Sequence, residues 1–314
     1  MLSRTADNLF WMGRYSERAG NLARGMQVAL RTAGLAQALG DDADEWRSLL
    51  VAAGGEPGFM AKYPEATPDA VVHWLALDPD NPSSIASCVE AARRSGRAVR
   101  TALTVDMWEA LNDTWIELRR QGGASAVQGD RLPAFLDWVR ARTMLFNGAA
   151  ADTMLRNDSW RFVHLGTMLE RADNTARLLD AKHAAFAADA PSGAVAYAQW
   201  QAVLRSVSAL RSYQWVYHTR LQPRLVAELL ILRMELPRSL HACYRKVEQT
   251  LDRIAEASGG RHGECHRLAG ELHARMRHGH IEDIMAEGLH AFLTATINRN
   301  LELGQQIGQF YLHP

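Results

Sequence analysis

The chain has 314 residues, 35 Lys plus Arg against 35 Asp plus Glu, 47 % hydrophobic and 22 % charged residues, and three cysteines. That balance excludes an intrinsically disordered chain, and a net charge of zero gives no bulk field for nucleic acid or an anionic membrane. No signal-length apolar run opens the chain and no window nears the roughly 18 apolar residues of a membrane span, so a soluble, cytoplasmic protein is expected, with Cys88, Cys243 and Cys265 as reduced thiols.

Ser3 can cap a helix whose residues Met12, Tyr15, Ala19, Leu22, Met26 and Leu30 recur at three- and four-residue steps, with Gly34 as its expected stop. Asp41, Asp42 and Asp44 suit the start of a second helix through Trp46 and Leu50, ended by Gly54 and Gly55. Glu56-Pro57-Gly58 and Tyr63-Pro64 read as a loop. Thr67-Pro68 opens a short helix to Leu77, and Asn81-Pro82 opens a long one, broken near Thr104 and running to about Arg119. After Gly122-Gly123, Pro133 starts the next helix.

Asp158 or Ser159 is the expected cap of the following helix, with Pro191-Ser192-Gly193 as the loop beyond it. Helices around Trp200, from Pro223 and from Pro237 follow, then two more separated near Gly279. The apolar run Leu229 to Leu232 is better read as buried helix than as strand. The fold class is all-α, a bundle of roughly eleven or twelve helices.

Part of this pattern repeats. Phe10 to Arg24 (FWMGRYSERAGNLAR) and Val163 to Arg177 (VHLGTMLERADNTAR) share seven of fifteen residues, where chance gives about one at frequencies of roughly 7 %. Glu17 and Glu170 are 153 residues apart, Trp46 and Trp200 are 154 apart, and Pro68 and Pro223 are 155 apart, with Pro82/Pro237, Ser84/Ser239 and Cys88/Cys243 keeping the last offset. The expected architecture is a single domain over 1–314, built from repeat one (about 1–150) and repeat two (about 151–314) with approximate two-fold pseudo-symmetry.

On a helical wheel Gly13, Glu17, Asn21 and Arg24 fall within about 40° of one another, as do Gly166, Glu170, Asn174 and Arg177, with Arg18 and Arg171 at the border of the apolar face. Three readings follow. The stripes are solvated faces; or they form a polar network where the repeats meet, a carboxylate of one forked by a guanidinium of the other; or they bind an anionic ligand, with Glu17 or Glu170 as general acid or base. Glycine costs about 1 kcal/mol inside a helix, so its presence in both copies suggests that another backbone passes close by.

Among the C-terminal histidines, His262 and His266 lie one turn apart and are the weak metal candidates, without an established zinc spacing. Glu287-x-x-His290 is a single match to a motif that di-iron bundles need twice. No nucleophile elbow, partnered Cys/His pair, GxGxxG or phosphate loop occurs, so the reading leans away from an enzyme and implies no cofactor.

LSRTADNLFWMGRYSERAGNLAR, then GTMLERADNTARLLD and ELPRSL, resemble the alpha-E domain family of bacterial all-helical proteins. The resemblance covers nearly the whole chain. It implies as partners a circularly permuted ATP-grasp ligase and a transglutaminase-like hydrolase, and hence a role in making, modifying or processing an amide-linked peptide. The motif residues it carries over are Glu17-Arg18 and Glu170-Arg171, with Asn21, Arg24, Asn174 and Arg177. Two positions depart from the family pattern: Ala92 to Arg97, and Thr167, which replaces the arginine that follows glycine in the first copy. The leading expectation is an auxiliary or peptide-binding component of such a system. The alternatives are an enzyme using Glu17 or Glu170 on a peptide or anionic substrate, and a plain helical scaffold.

Overall fold

One long helix, α1 (Ser3–Leu39), threads the molecule and takes part in both of its apolar cores. Ala6, Leu9, Phe10 and Met12 near its start belong to the larger core, and Ala19, Leu22, Ala23, Met26 and Ala29 belong to the smaller one. The structure is a computed structural model that describes residues 3–39, 45–121, 123–182 and 194–312. Asp41, Asp42, Asp44, Gly122 and the loop Pro191-Ser192-Gly193 lie outside the described residues.

Among the described residues there are fifteen α-helices and no strand, so the chain is all-α. After α1 come α2 (Glu45–Ala52), α3 (Glu56–Lys62), α4 (Pro68–Ala76), α5 (Ile85–Ala98), α6 (Val105–Arg120) and α7 (Leu132–Thr153). The second part of the chain holds α8 (Asp158–Ala181), α9 (Ala194–Ser206), α10 (Leu210–Tyr217), α11 (Pro223–Ile231), α12 (Leu240–Ala257), α13 (Glu264–His278), α14 (Ile281–Glu287) and α15 (Leu289–Ile307).

The count exceeds eleven or twelve for three local reasons. Glu56-Pro57-Gly58 is not a loop but the first turn of α3, where proline is tolerated; the helix is held by Phe59, which is fully buried and stacks on Tyr63 at 4.9 Å. The short α10 follows Ala209, which offers no side-chain cap to mark its start in the sequence. The last expected helix is two, because Gly288 at φ 101° breaks it.

Gly34 does not stop α1, which continues to Leu39. The cap of α8 is Asn157, whose Oδ1 accepts from the amides of Ser159 and Trp160, rather than Asp158 or Ser159. Thr67, Ser84, Thr104 and Ser239 each cap the helix that follows them, accepting from the amide three residues on. Leu229 to Ile231 are buried helix in α11. In packing, α1 lies against α5 and α7, and α8 against α12 and α15, while α1 and α8 lie against each other.

Candidate functional site

The two ERAxNxAR helices form the most intimate contact in the molecule. Contacts between α1 and α8 advance along both helices together, from Phe10 against Gly166 to Arg18 on Glu170, 156 and 152 residues apart, so the helices run in the same direction. The glycines permit the approach. A methyl group on Gly13 would lie 2.3 Å from the Val163 carbonyl oxygen, and one on Gly166 would lie 2.1 Å from that of Phe10.

Close approach brings each glutamate within reach of the other helix. Arg18 donates from Nε to Glu170 Oε1 at 2.5 Å and from Nη2 to Oε2 at 2.9 Å, while its Nη1 donates to Ser83 at 3.0 Å. Arg171 makes the reciprocal fork, Nε to Glu17 Oε1 at 3.2 Å and Nη2 to Oε2 at 3.0 Å. Two arginines outside the shared motif complete the clusters. Arg14 donates to Glu170 at 2.8 Å, and Arg238, just before α12, places Nη1 2.7 Å from Glu17 Oε1.

The stripe is therefore not a solvated face. Glu17 is 1 % exposed and Glu170 5 %. Burial alone would raise both carboxyl pKa values, but the guanidiniums outweigh it. Glu170 is held down to about 2 by Arg18 and Arg14, and Glu17 is pushed lower still by Arg171, Arg238 and Arg24. Arg18 moves upward, because the attraction of Glu170 exceeds its own desolvation. Neither glutamate is placed to trade a proton near neutral pH.

The other motif residues divide. Asn21 Oδ1 accepts from Arg24 Nη2 at 2.7 Å and from Arg238 Nη1 at 3.0 Å, so both join the Glu17 cluster. Arg177 instead pairs with Asp173 at 2.8 Å, one turn back on its own helix, and Asn174 is half-buried outside both clusters. Arg14 and Arg238 escaped the motif-based reading. The available signal was a complementary exchange: Arg14 matches Thr167 in the other copy, and Arg238 matches Ser83.

His262 and His266 do come together, with ring centroids 4.4 Å apart. His266 Nδ1 accepts from the Gly263 amide at 3.0 Å and its Nε2 lies 3.2 Å from the Tyr311 hydroxyl, so both ring nitrogens are engaged. Among the described residues no three His, Cys, Asp or Glu side chains are grouped as metal ligands would be. Glu287 faces Arg275 and His290 faces Asp180, so that pair shares no site.

Residues 1–312 match the Alpha-E family model, described as a predicted alpha-helical domain with a conserved ER motif. The chain belongs to the Alpha-E family. Glu and Arg adjoin in that order at Glu17-Arg18 and at Glu170-Arg171. An uncharacterised protein of Mycobacterium bovis is 29 % identical over 312 residues, as is one of Mycobacterium tuberculosis, each match covering 92 % of this chain. The match covers 34 % of each of those proteins, so this Alpha-E chain spans about a third of their length. No solved structure matches. Among its described residues no helix is long and apolar enough to cross a membrane.

Proposed function

We propose that this Alpha-E chain is a non-catalytic, auxiliary component of a cytoplasmic ATP-grasp amide- or peptide-ligation system, built from two copies of one helical unit. The observation that carries this reading is the reciprocal burial of Glu17 and Glu170. The residues that would supply acid–base chemistry are spent on holding α1 to α8, and both stay ionised. The mycobacterial relatives are about three times as long, which favours a helical unit that works beside other domains. The ligase as partner follows from the family resemblance.

On this reading a peptide would lie on the first half. A cleft of about 490 Å³ between α4, α5 and α6 has Leu77, Trp115 and Leu118 as apolar lining, with exposed Glu90 and Arg119 as opposite charges on its walls. That combination suits the ammonium and carboxylate groups of a peptide.

Co-expression with the circularly permuted ATP-grasp ligase, followed by affinity purification and a ligation assay with and without this chain, tests the reading. Association and a ligation yield that depends on the chain are expected. Absence of both would defeat it. Glu90→Gln and Arg119→Gln are each expected to weaken peptide binding at least tenfold without changing the melting temperature.

A further inference from the structure

The two motif helices carry the same residues but not the same charge balance. Around Glu170 the surplus is a single charge: Arg18 takes both carboxylate oxygens and Arg14 takes one, while Arg177 pairs with Asp173. In the first copy the position matching Asp173 is Gly20, so Arg24 has no carboxylate one turn back.

Arg24 turns instead to Glu17, already taken. Its Nη2 lies 3.5 Å from Glu17 Oε1, beyond Arg238 at 2.7 Å and Arg171 at 3.0 Å from the same carboxylate. One negative charge thus faces three positive ones, and no side chain in the set is more than 14 % exposed. Asp137, the carboxylate beside Arg140, is largely exposed and accepts from Gln27 at 2.6 Å. A buried surplus of two guanidiniums is unfavourable, because attraction no longer offsets desolvation.

Three of the seven buried side-chain atoms without a hydrogen-bond partner among the described residues belong to this corner or to Arg140 beside it. Arg24 Nε and Asn21 Nδ2 are buried without an acceptor, and Arg24 and Asn21 are 8 % and 7 % exposed. Two guanidiniums donate to Asn21 Oδ1, which fixes the amide so that Nδ2 is the free end. Arg140, which donates to Gln27 through Nη1, also has a buried Nε without an acceptor. All three atoms are donors. Burial, with repulsion from Arg238, Arg171 and Arg140, brings Arg24 down to about 9 despite Glu17.

We propose that the Arg24–Asn21–Arg238 corner of the Glu17 cluster binds an oxyanion, a carboxylate or phosphate group that accepts from Arg24 Nε and Asn21 Nδ2 and balances the surplus guanidinium charge. The Glu170 cluster has one surplus guanidinium rather than two and no buried guanidinium nitrogen without an acceptor; it is a lock and not a site. This inference does not depend on the ligase: a chain that met no ligase would still bind the anion.

Thermal unfolding of the full chain at constant ionic strength tests it, with chloride exchanged for inorganic phosphate in one arm and for N-acetyl-alanyl-alanine or its C-terminal amide in another. A melting temperature that climbs with the logarithm of phosphate, or of the free-acid peptide but not its amide, is expected, and the responding arm names the source. Asn21→Asp puts a carboxylate between Arg24 and Arg238. It is expected to raise the melting temperature in chloride and abolish the response; Arg24→Gln should abolish it too, whereas Arg177→Gln should keep it. No response beyond chloride, an undiminished response in Arg24→Gln, or an Asn21→Asp chain that melts lower in chloride would overturn the proposal.

Discussion

Arg238 reaches Glu17 from the start of α12, its Nη1 2.7 Å from Oε1, and does for that carboxylate what Arg14 does for Glu170. Residue 167 is threonine, so α8 cannot send a second arginine to Glu17; residue 83 is serine, so the chain before α5 cannot send one to Glu170. The loss on one element is made good on another. Each glutamate holds one forked guanidinium and a second drawn from a non-equivalent place, and Glu17 has a third, Arg24, at 3.5 Å.

Glu17→Gln and Glu170→Gln should therefore behave as stability variants. Removing one member of a buried ion cluster strands the others, at a cost of about 3–5 kcal/mol. Chemical denaturation should place Glu17→Gln lower, because it strands three guanidiniums and Glu170→Gln two.

Gly13→Ala and Gly166→Ala each force a methyl group into the facing backbone, at 2.3 and 2.1 Å. A carbonyl oxygen cannot turn aside as a side chain can, so each variant should lose about 3 kcal/mol, the upper end for overpacking. Both strain one crossing. The double variant should lose less than the sum of the two, which the same denaturation experiment reads out.

Stability should fall with acid in two stages. Burial, then the charges of Arg171, Lys246 and Arg156, lower His164 from 6.5 to about 4, so the unfolded chain takes up a proton there first. Its contribution is complete above pH 6.5 and lost as pH drops towards 4. The glutamates follow: their contribution is complete above their ordinary 4.5 and is lost as pH falls towards 2 for Glu170, and lower for Glu17. His164→Phe keeps a ring against Trp160, now 4.5 Å from the imidazole, and should flatten the first stage only. His266, lowered by burial and by His262, leaves a residual slope there.

Cys88, Cys243 and Cys265 are buried free thiols, and burial pushes them up to about 12, 12 and 11. Since the thiolate is the reactive form, Ellman's reagent should find none of them in the folded chain and all three in denaturant.

Much of this was legible in the sequence because it is local. Period, caps and prolines place α4, α6 and α11, and glycine repeated in a helix interior pointed to the backbone contact that Gly13 and Gly166 make. What escaped depends on the third dimension. Gly34 looks like a stop, but α1 passes through it; Gly58 looks like a loop residue, but the ring of Phe59 has a core to enter, and α3 forms. The motif named Glu17 and Glu170 without saying that their counter-charges include Arg14 and Arg238, since no spacing along one helix encodes a partner on another. Gly20 against Asp173 was in plain view as a mismatch, but its meaning needed the geometry of Arg24.

The parallel run of α1 and α8 bears on how the chain assembles. Every lock contact joins residues more than 150 positions apart, so nothing emerging before α8 can close it. A first half alone would carry Arg14 and Arg18 with no Glu170, and a second half alone Arg171 and Arg238 with no Glu17. Each piece is an unbalanced set of cations whose missing anion is encoded on the other. The α7–α8 junction, where Leu155 is 77 % exposed, is thus a natural place to cut the gene in two. Neither product should hold its shape alone, and the two together should reconstitute the whole, the crossing of α1 and α8 acting as a test that both parts are present.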